Sequence, residues 1–160
     1  MINNMNEVRI RNVKLGDLKA FIKAYKDAYK GLEQYAYTKT KDIKSYFKWL
    51  LRRDSNGFFV CEIDSRQIGF VACDANWFSR YENSFVAEIH ELFVARKFQR
   101  RGIGSSLLRT ALNYGTSKQR NLAELWVGVT NYGVIEFYKR HGFAAKEISW
   151  DKWLRMVRKL

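Results

Sequence analysis

The sequence predicts a three-layer α/β (α+β) fold: one mixed, mostly antiparallel sheet of about six or seven strands with about four helices packed on it. Two observations predict it. Apolar residues repeat at helical spacing in four segments, and alternating or continuous apolar runs separate those segments. The resulting order, β-α-α-β-β-β-α-β-α-β-β, cannot bury its apolar faces except as helices layered on one sheet. With 160 residues and no linker, repeat or low-complexity stretch, the chain reads as a single domain over 1–160.

Each element follows in turn. Residues 7–13 alternate and read as a first strand. Asp17 is placed to cap a helix to about Lys30 whose apolar face holds Leu18, Phe21, Ile22, Tyr25 and Tyr29. Thr40 opens a second helix to about Arg53 with Ile43, Phe47 and Leu50 inward. Asn56-Gly57 marks a turn, and Phe58–Ile63 and Gln67–Asp74 form a hairpin around Asp64-Ser65-Arg66. Residues 76–84 read as a polar and aromatic loop, and Phe85–Ala95 as a long strand. Ile103, Leu107, Leu108, Ala111 and Leu112 set a helix from Gly102 to about Gln119. A strand at Ala123–Thr130 follows, continuously apolar enough to be covered on both faces. Asn131–His141 is a short helix stopped by Gly142, and Phe143–Ile148 and Trp153–Val157 close the sheet.

Composition excludes several classes. At 47% hydrophobic and 16% aromatic the chain is not disordered. Its apolar runs are too short to span a bilayer. The polar N-terminus lacks the apolar stretch of a signal peptide, which predicts a cytoplasmic protein. Cys61 and Cys73 form neither a zinc motif nor a disulfide framework and are expected as reduced, half-buried strand residues. No metal site is expected. There is no proline, so helix ends fall to Gly, Asn, Asp and Ser.

The formal net charge is +13. Residues 96–160 carry 14 basic and 4 acidic side chains, against 15 and 12 in residues 1–95. A field of that sign draws polyanions: nucleic acid, an anionic membrane or a multiply phosphorylated cosubstrate. With Trp49, Trp77, Tyr81, Trp126, Trp150 and Trp153 alongside the charge, a nucleic-acid-binding protein is the rival reading.

The segment Gln99-Arg100-Arg101-Gly102-Ile103-Gly104 joins a strand to a helix and is built as a phosphate cradle. The first helical turn offers unpaired N–H groups at the positive end of the dipole. Two glycines permit close approach, and Arg96, Lys97, Arg100 and Arg101 surround them. It is neither a Walker A loop nor a dinucleotide fingerprint, because the lysine of one and the third glycine of the other are missing.

The run from Val94 to Gly104 resembles the Q/R-x-x-G-x-G/A acetyl-CoA signature of the GNAT superfamily of N-acetyltransferases. The strand Ala87-Glu88-Ile89-His90-Glu91-Leu92-Phe93-Val94 before it looks like that family's central strand. Asn131, Tyr138 and Gly142-Phe143 resemble its second motif. The resemblance implies acetyl transfer from acetyl-CoA to a primary amine by direct transfer in a ternary complex, with a small amine, a peptide or a protein lysine as acceptor, and a possible homodimer. It implies that the backbone of Leu92, Phe93 and Val94 pairs with the pantetheine arm and that the Val94 N–H stabilises the thioester oxygen. The pyrophosphate would rest on the turn formed by Gln99, Arg100, Arg101, Gly102, Ile103, Gly104 and Ser105, with Asn131 on the pantetheine. Tyr138 would be the general acid, its phenol standing above a thiol in ordinary pKa.

For the base, Glu88 ranks first by resemblance, Glu91 second and His90 third. Period two puts Glu88, His90, Leu92 and Val94 on one face and Ile89, Glu91 and Phe93 on the other, unless a bulge intervenes. Ribosomal-protein N-terminal acetyltransferases carry a glutamate five residues before the asparagine; here Trp126 stands there, which disfavours a protein N-terminal substrate. His141 reads as a helix-end residue. The acceptor is expected to meet the helices within 17–53 and the loop 76–84.

Overall fold

In the computed structural model, which describes residues 7–160, seven strands form one sheet in the order β1-β2-β3-β4-β5-β7-β6. The strands are β1 (Val8–Asn12), β2 (Phe58–Ile63), β3 (Arg66–Ser79), β4 (Ser84–Val94), β5 (Leu122–Gly128), β6 (Ala144–Ser149) and β7 (Trp153–Lys159). The helices are α1 (Leu18–Ala28), α2 (Thr40–Arg53), α3 (Ile103–Ser117) and α4 (Tyr132–Arg140). Element order and fold class are as the periodicity predicts.

Two apolar layers hold the helices to the sheet. Phe21 and Tyr25 of α1 and Ile43, Phe47 and Leu50 of α2 pack on Phe58, Val60, Phe70 and Phe93. Leu107, Leu108 and Ala111 of α3 and Ile135 and Tyr138 of α4 pack on the opposite face against Val71, Ile89, Leu125 and Met156. Each fully buried Phe or Leu contributes roughly 1.5–3 kcal/mol of transfer free energy, so the two faces act as separate clamps on the same strands.

Every neighbouring pair of strands is antiparallel except β4 and β5. That parallel pair is held only at Ala87–Ala123, Glu88–Glu124 and Ile89–Leu125. Beyond Leu125 the two strands diverge, and the β4 edge from His90 to Val94 has no strand partner on that side.

A bulge sits where the strands part. Ala72 is opposite Glu91 while the next residue, Cys73, is opposite Ile89, so His90 is the extra residue. The bulge overturns strict alternation. Ala87, Ile89 and Val94 join the α3 layer, and Phe93 joins the α1–α2 layer. Glu91, through its contacts with Tyr29 and Tyr46, lies on the α1–α2 side, and so does the neighbouring His90, against Trp49 of α2.

Other local expectations change too. Asp17 does not cap α1 with its side chain. Its carboxylate instead accepts from the Arg11 guanidinium at 2.8 Å and from the Lys14 N–H at 2.8 Å. Residues 76–79 are not loop but the end of β3, with Trp77 opposite Val86, because aromatic side chains there pair across the strands. Cys61 and Cys73 are free and fully buried rather than half-buried, since their strands are covered by helices.

Candidate active site

Two cavities meet at the divergence of β4 and β5. The larger, about 860 Å³, runs from the open β4 edge to the start of α3. Leu92, Phe93 and Val94 line it, as do Gln99, Arg100, Gly102, Gly104, Ser105, Asn131 and Tyr138. Gly102 holds a left-handed conformation (φ 80°) at the head of α3, and the adjacent Arg100 does so at φ 60°. This turn brings Gly102, Gly104 and Ser105 to the cavity wall. Gln99 braces the turn by donating from Nε2 to the Val94 carbonyl at 2.9 Å. A Cβ placed on Gly104 would come no closer than 3.6 Å to any protein atom, that atom being on Phe137. The fold itself therefore does not require glycine at 104, and the bare backbone leaves room for a ligand. Arg101 and Ile103 do not line the cavity: Arg101 lies over the Phe98 ring and Ile103 is buried in the core.

Asn131 occupies the position before α4 but makes no side-chain capping bond, so its amide is uncommitted. Tyr138 is buried. Burial, with the Glu91 charge adding to it, pushes its phenol above the ordinary tyrosine range. Together these features suit an extended, phosphate-bearing cosubstrate. A strand edge can pair with amides, an arginine and helix-terminal N–H groups can meet a diphosphate, and a buried hydroxyl lies along the same trough.

The smaller cavity, about 360 Å³, is aromatic. Tyr25 of α1, Tyr29 just after its end, Tyr35 and Tyr37 of the following segment, Tyr46 of α2, Trp126 of β5 and Trp153 of β7 line it, with Gln34, Ala36, His90, Glu91 and Lys152. Glu91 lines both cavities. Its Oε1 accepts a hydrogen bond from the Tyr29 hydroxyl, and Oε2 accepts one from Tyr46 at 3.0 Å. Burial raises the Glu91 carboxyl to about 7, although the two tyrosines favour its charged form. His90 also lines both cavities, with Nε2 held 2.9 Å from Asp74 Oδ2 and the ring between Trp49 and Trp77. Arg53 Nε joins Asp74 at 2.7 Å; burial opposes the Asp74 charge, yet these donors hold its carboxyl down at about 2.

Glu88, ranked first as base from the sequence, lines neither cavity. It is buried beside Glu124, and burial together with that neighbour lifts its pKa well above the carboxylate range. Its Oε2 has no hydrogen-bond partner. Glu124 is taken up by Arg155 at 2.6 Å and by Ser79 at 2.7 Å. The loop expected to touch the acceptor also lies off both cavities, whereas α1, α2 and the segment between them supply five tyrosines. His141 is a helix-end residue, its Nδ1 2.8 Å from the Phe137 carbonyl. No motif marks Lys152, and Trp153 enters from sequence only as a strand residue and one of the aromatics beside the charge; the return of β7 beside β5 brings both to the site.

A mixed sheet opened between two parallel strands, with a glycine turn at the head of the next helix, defines a fold that takes a phosphate-bearing cosubstrate into the sheet itself. The chain belongs to the acetyltransferase (GNAT) family, whose sequence model matches residues 18–143. It is 50% identical over 158 residues to an "uncharacterized N-acetyltransferase" of Methanocaldococcus jannaschii, covering 99% of this chain and 70% of that protein. An N-alpha-acetyltransferase of Sulfurisphaera tokodaii is 30% identical over 144 residues, covering 86% of this chain and 80% of that one. Among solved structures, a Pyrococcus horikoshii OT3 protein superposes with a TM-score of 0.88 at 37% identity, covering 96% and 99% of the two chains. A Thermoplasma acidophilum N-acetyltransferase in complex with coenzyme A shares the fold, with a TM-score of 0.74 at 20% identity and coverage of 96% and 99%. The protein is thus an N-acetyltransferase of a family that uses acetyl-CoA. Nothing in these relatives favours nucleic-acid binding, and among the described residues no helix is long and apolar enough to cross a membrane.

Proposed function

We propose that the protein moves the acetyl group of acetyl-CoA directly to a primary amine within a ternary complex, with Glu91 as the base and Tyr138 as the group that meets the departing sulfur. The observation that carries this reading is that Glu91 lines both cavities and so stands between the two substrates.

An alkylammonium must lose a proton before its nitrogen can attack, and its ordinary pKa is near 10. Glu91, poised at about 7, is charged in enough molecules at neutral pH to take that proton, directly or through water. The N–C bond then forms and the C–S bond breaks. The nitrogen sheds a second proton as it becomes an amide, and the sulfur leaves as a thiol. The Val94 N–H, on the open strand edge, is the donor for the thioester oxygen as it gains charge. Tyr138 is held above its ordinary pKa, so full transfer of its proton to a thiolate is uphill. Its contribution is a hydrogen bond to the sulfur, completed by a proton only as the amine gives one up. The turn from Gln99 to Ser105 and the amide of Asn131 bind the cosubstrate's diphosphate and pantetheine. Glu88, buried off both cavities, has no part in this scheme.

Titration calorimetry with acetyl-CoA, followed by thiol release across a panel of amines, tests the reading. Binding of acetyl-CoA at micromolar concentration and thiol release with at least one amine are expected. Absence of any heat with either acetyl-CoA or CoA would overturn it.

A further inference from the structure

The aromatic cavity carries a charge pattern that narrows the acceptor. Glu91 is the only carboxylate among its lining residues. Apart from His90, its one basic lining side chain is Lys152. Lys152 Nζ lies 5.5 Å from the Trp153 ring centroid, and among the described residues no carboxylate is within ion-pair distance of it. Around Glu91 the rings close in. Tyr25 and Tyr29 are 4.6 Å apart, Tyr37 and Tyr46 are 5.2 Å apart, and Tyr35 and Trp153 are 5.4 Å apart, all centroid to centroid. Such faces attract an ammonium group. The segment that brings in Tyr35 is tied down, its hydroxyl sharing a hydrogen bond with Thr130 Oγ1 at 2.5 Å.

A cavity with one acidic centre and one unpaired cation matches a ligand with the reverse pattern. Resting on the acetyl-transfer reading above, we infer that the acceptor is a primary amine carrying its own carboxylate, with the ammonium at Glu91 and the carboxylate at Lys152. At about 360 Å³ the cavity stands near the lower end of small-ligand sites and is roughly 7 Å across if taken as a cube. Amine and carboxylate must therefore belong to one residue-sized unit. A free amino acid has that form, and so does a peptide whose first residue is aspartate or glutamate. A polyamine does not: its second ammonium would find no carboxylate in the cavity and would meet Lys152.

The test compares matched acceptors by thiol release at fixed acetyl-CoA. One arm uses free amino acids against their carboxamides. A second uses short peptides beginning with Asp or Glu against the same peptides beginning with Asn or Gln. A third uses spermidine. In at least one of the first two arms the carboxylate form should have the higher kcat/KM by about two- to fivefold, the upper range of one partly exposed ion pair. That arm identifies the source. K152E should reverse the preference, and K152Q should abolish it. Neither should change the affinity for acetyl-CoA, because Lys152 does not line the larger cavity. Equal rates for carboxylate and amide forms in both arms, spermidine as the best acceptor, or a preference that survives in K152E would each overturn the inference. So would a protein that binds acetyl-CoA but neither turns over nor binds any carboxylate-bearing amine by calorimetry. Failure to bind acetyl-CoA at all would instead remove the underlying reading.

Discussion

Glu91 and Tyr138 face one another's chemistry from two strand-and-helix contexts, and each is tuned by loss of water. A carboxyl raised to about 7 keeps its proton below that pH and is ready as a base above it. The pH profile of kcat/KM should therefore rise through an apparent pKa near 7 in the native protein. Glu91→Gln should remove that limb and lower kcat by about 10²–10⁴-fold, the usual worth of a positioned base. The same shift bears on stability. A carboxyl whose folded pKa exceeds its unfolded value near 4.5 is stabilising in its neutral form, and that contribution is lost as pH rises from about 4.5 through 7. Melting temperatures of Glu91→Gln should accordingly vary less over that window. For Tyr138→Phe the expected outcome is a fall in kcat with little change in acetyl-CoA affinity, since the ring and its packing remain. Unchanged turnover would remove the hydroxyl from the reaction.

Elements, more than residues, decide which side chains meet. The helical and strand periods were readable because each apolar face obeys 3.6 or 2 along its length, and the glycine turn was readable because its residues are contiguous. The base was not. Simple alternation separates Glu91 from His90, and only the extra residue at the bulge turns both toward α1 and α2. A bulge arises from the pairing of two strands, so neither strand's sequence announces it. Tyr29 and Tyr46 were legible as members of apolar faces, but that their hydroxyls reach one carboxylate from the end of α1 and from α2 is a fact of packing. Glu88 illustrates the reverse case: the family resemblance ranks it first, and it is buried beside Glu124 and lines neither cavity. At the α3 turn a direct prediction follows. Gly104→Ala adds a methyl group that the protein itself tolerates and that favours helix by up to about 1 kcal/mol. The variant should melt no lower than the native protein, yet bind CoA at least tenfold more weakly.

Over the whole molecule the charge is unevenly used. Arg11, Arg53 and Arg155 are spent on internal carboxylates, Arg155 alone meeting Glu82, Glu124 and Glu147. Arg100 and Arg140 instead line the larger cavity with Arg96. Attraction between these arginines and the several negative charges of CoA is screened by salt. The dissociation constant for CoA should rise severalfold between 50 and 500 mM salt, and acetyl transfer at subsaturating acetyl-CoA should slow in parallel. A salt-independent constant would assign the affinity to the backbone amides alone.

The parting of β4 from β5 after Ile89 and Leu125 leaves the β4 edge unpaired from His90 to Val94. Peptide hydrogens just past that point on the open side lack a partner, and the neighbouring pair of strands can breathe from there as a zipper does from its free end. Deuterium uptake read by mass spectrometry should thus be fast over the ends of both strands in the free protein and slow sharply once CoA is added, with the flanking β2–β3 hairpin unaffected. The cosubstrate would then be acting as a removable partial eighth strand, and cohesion between the two halves of the molecule would depend on whether it is bound.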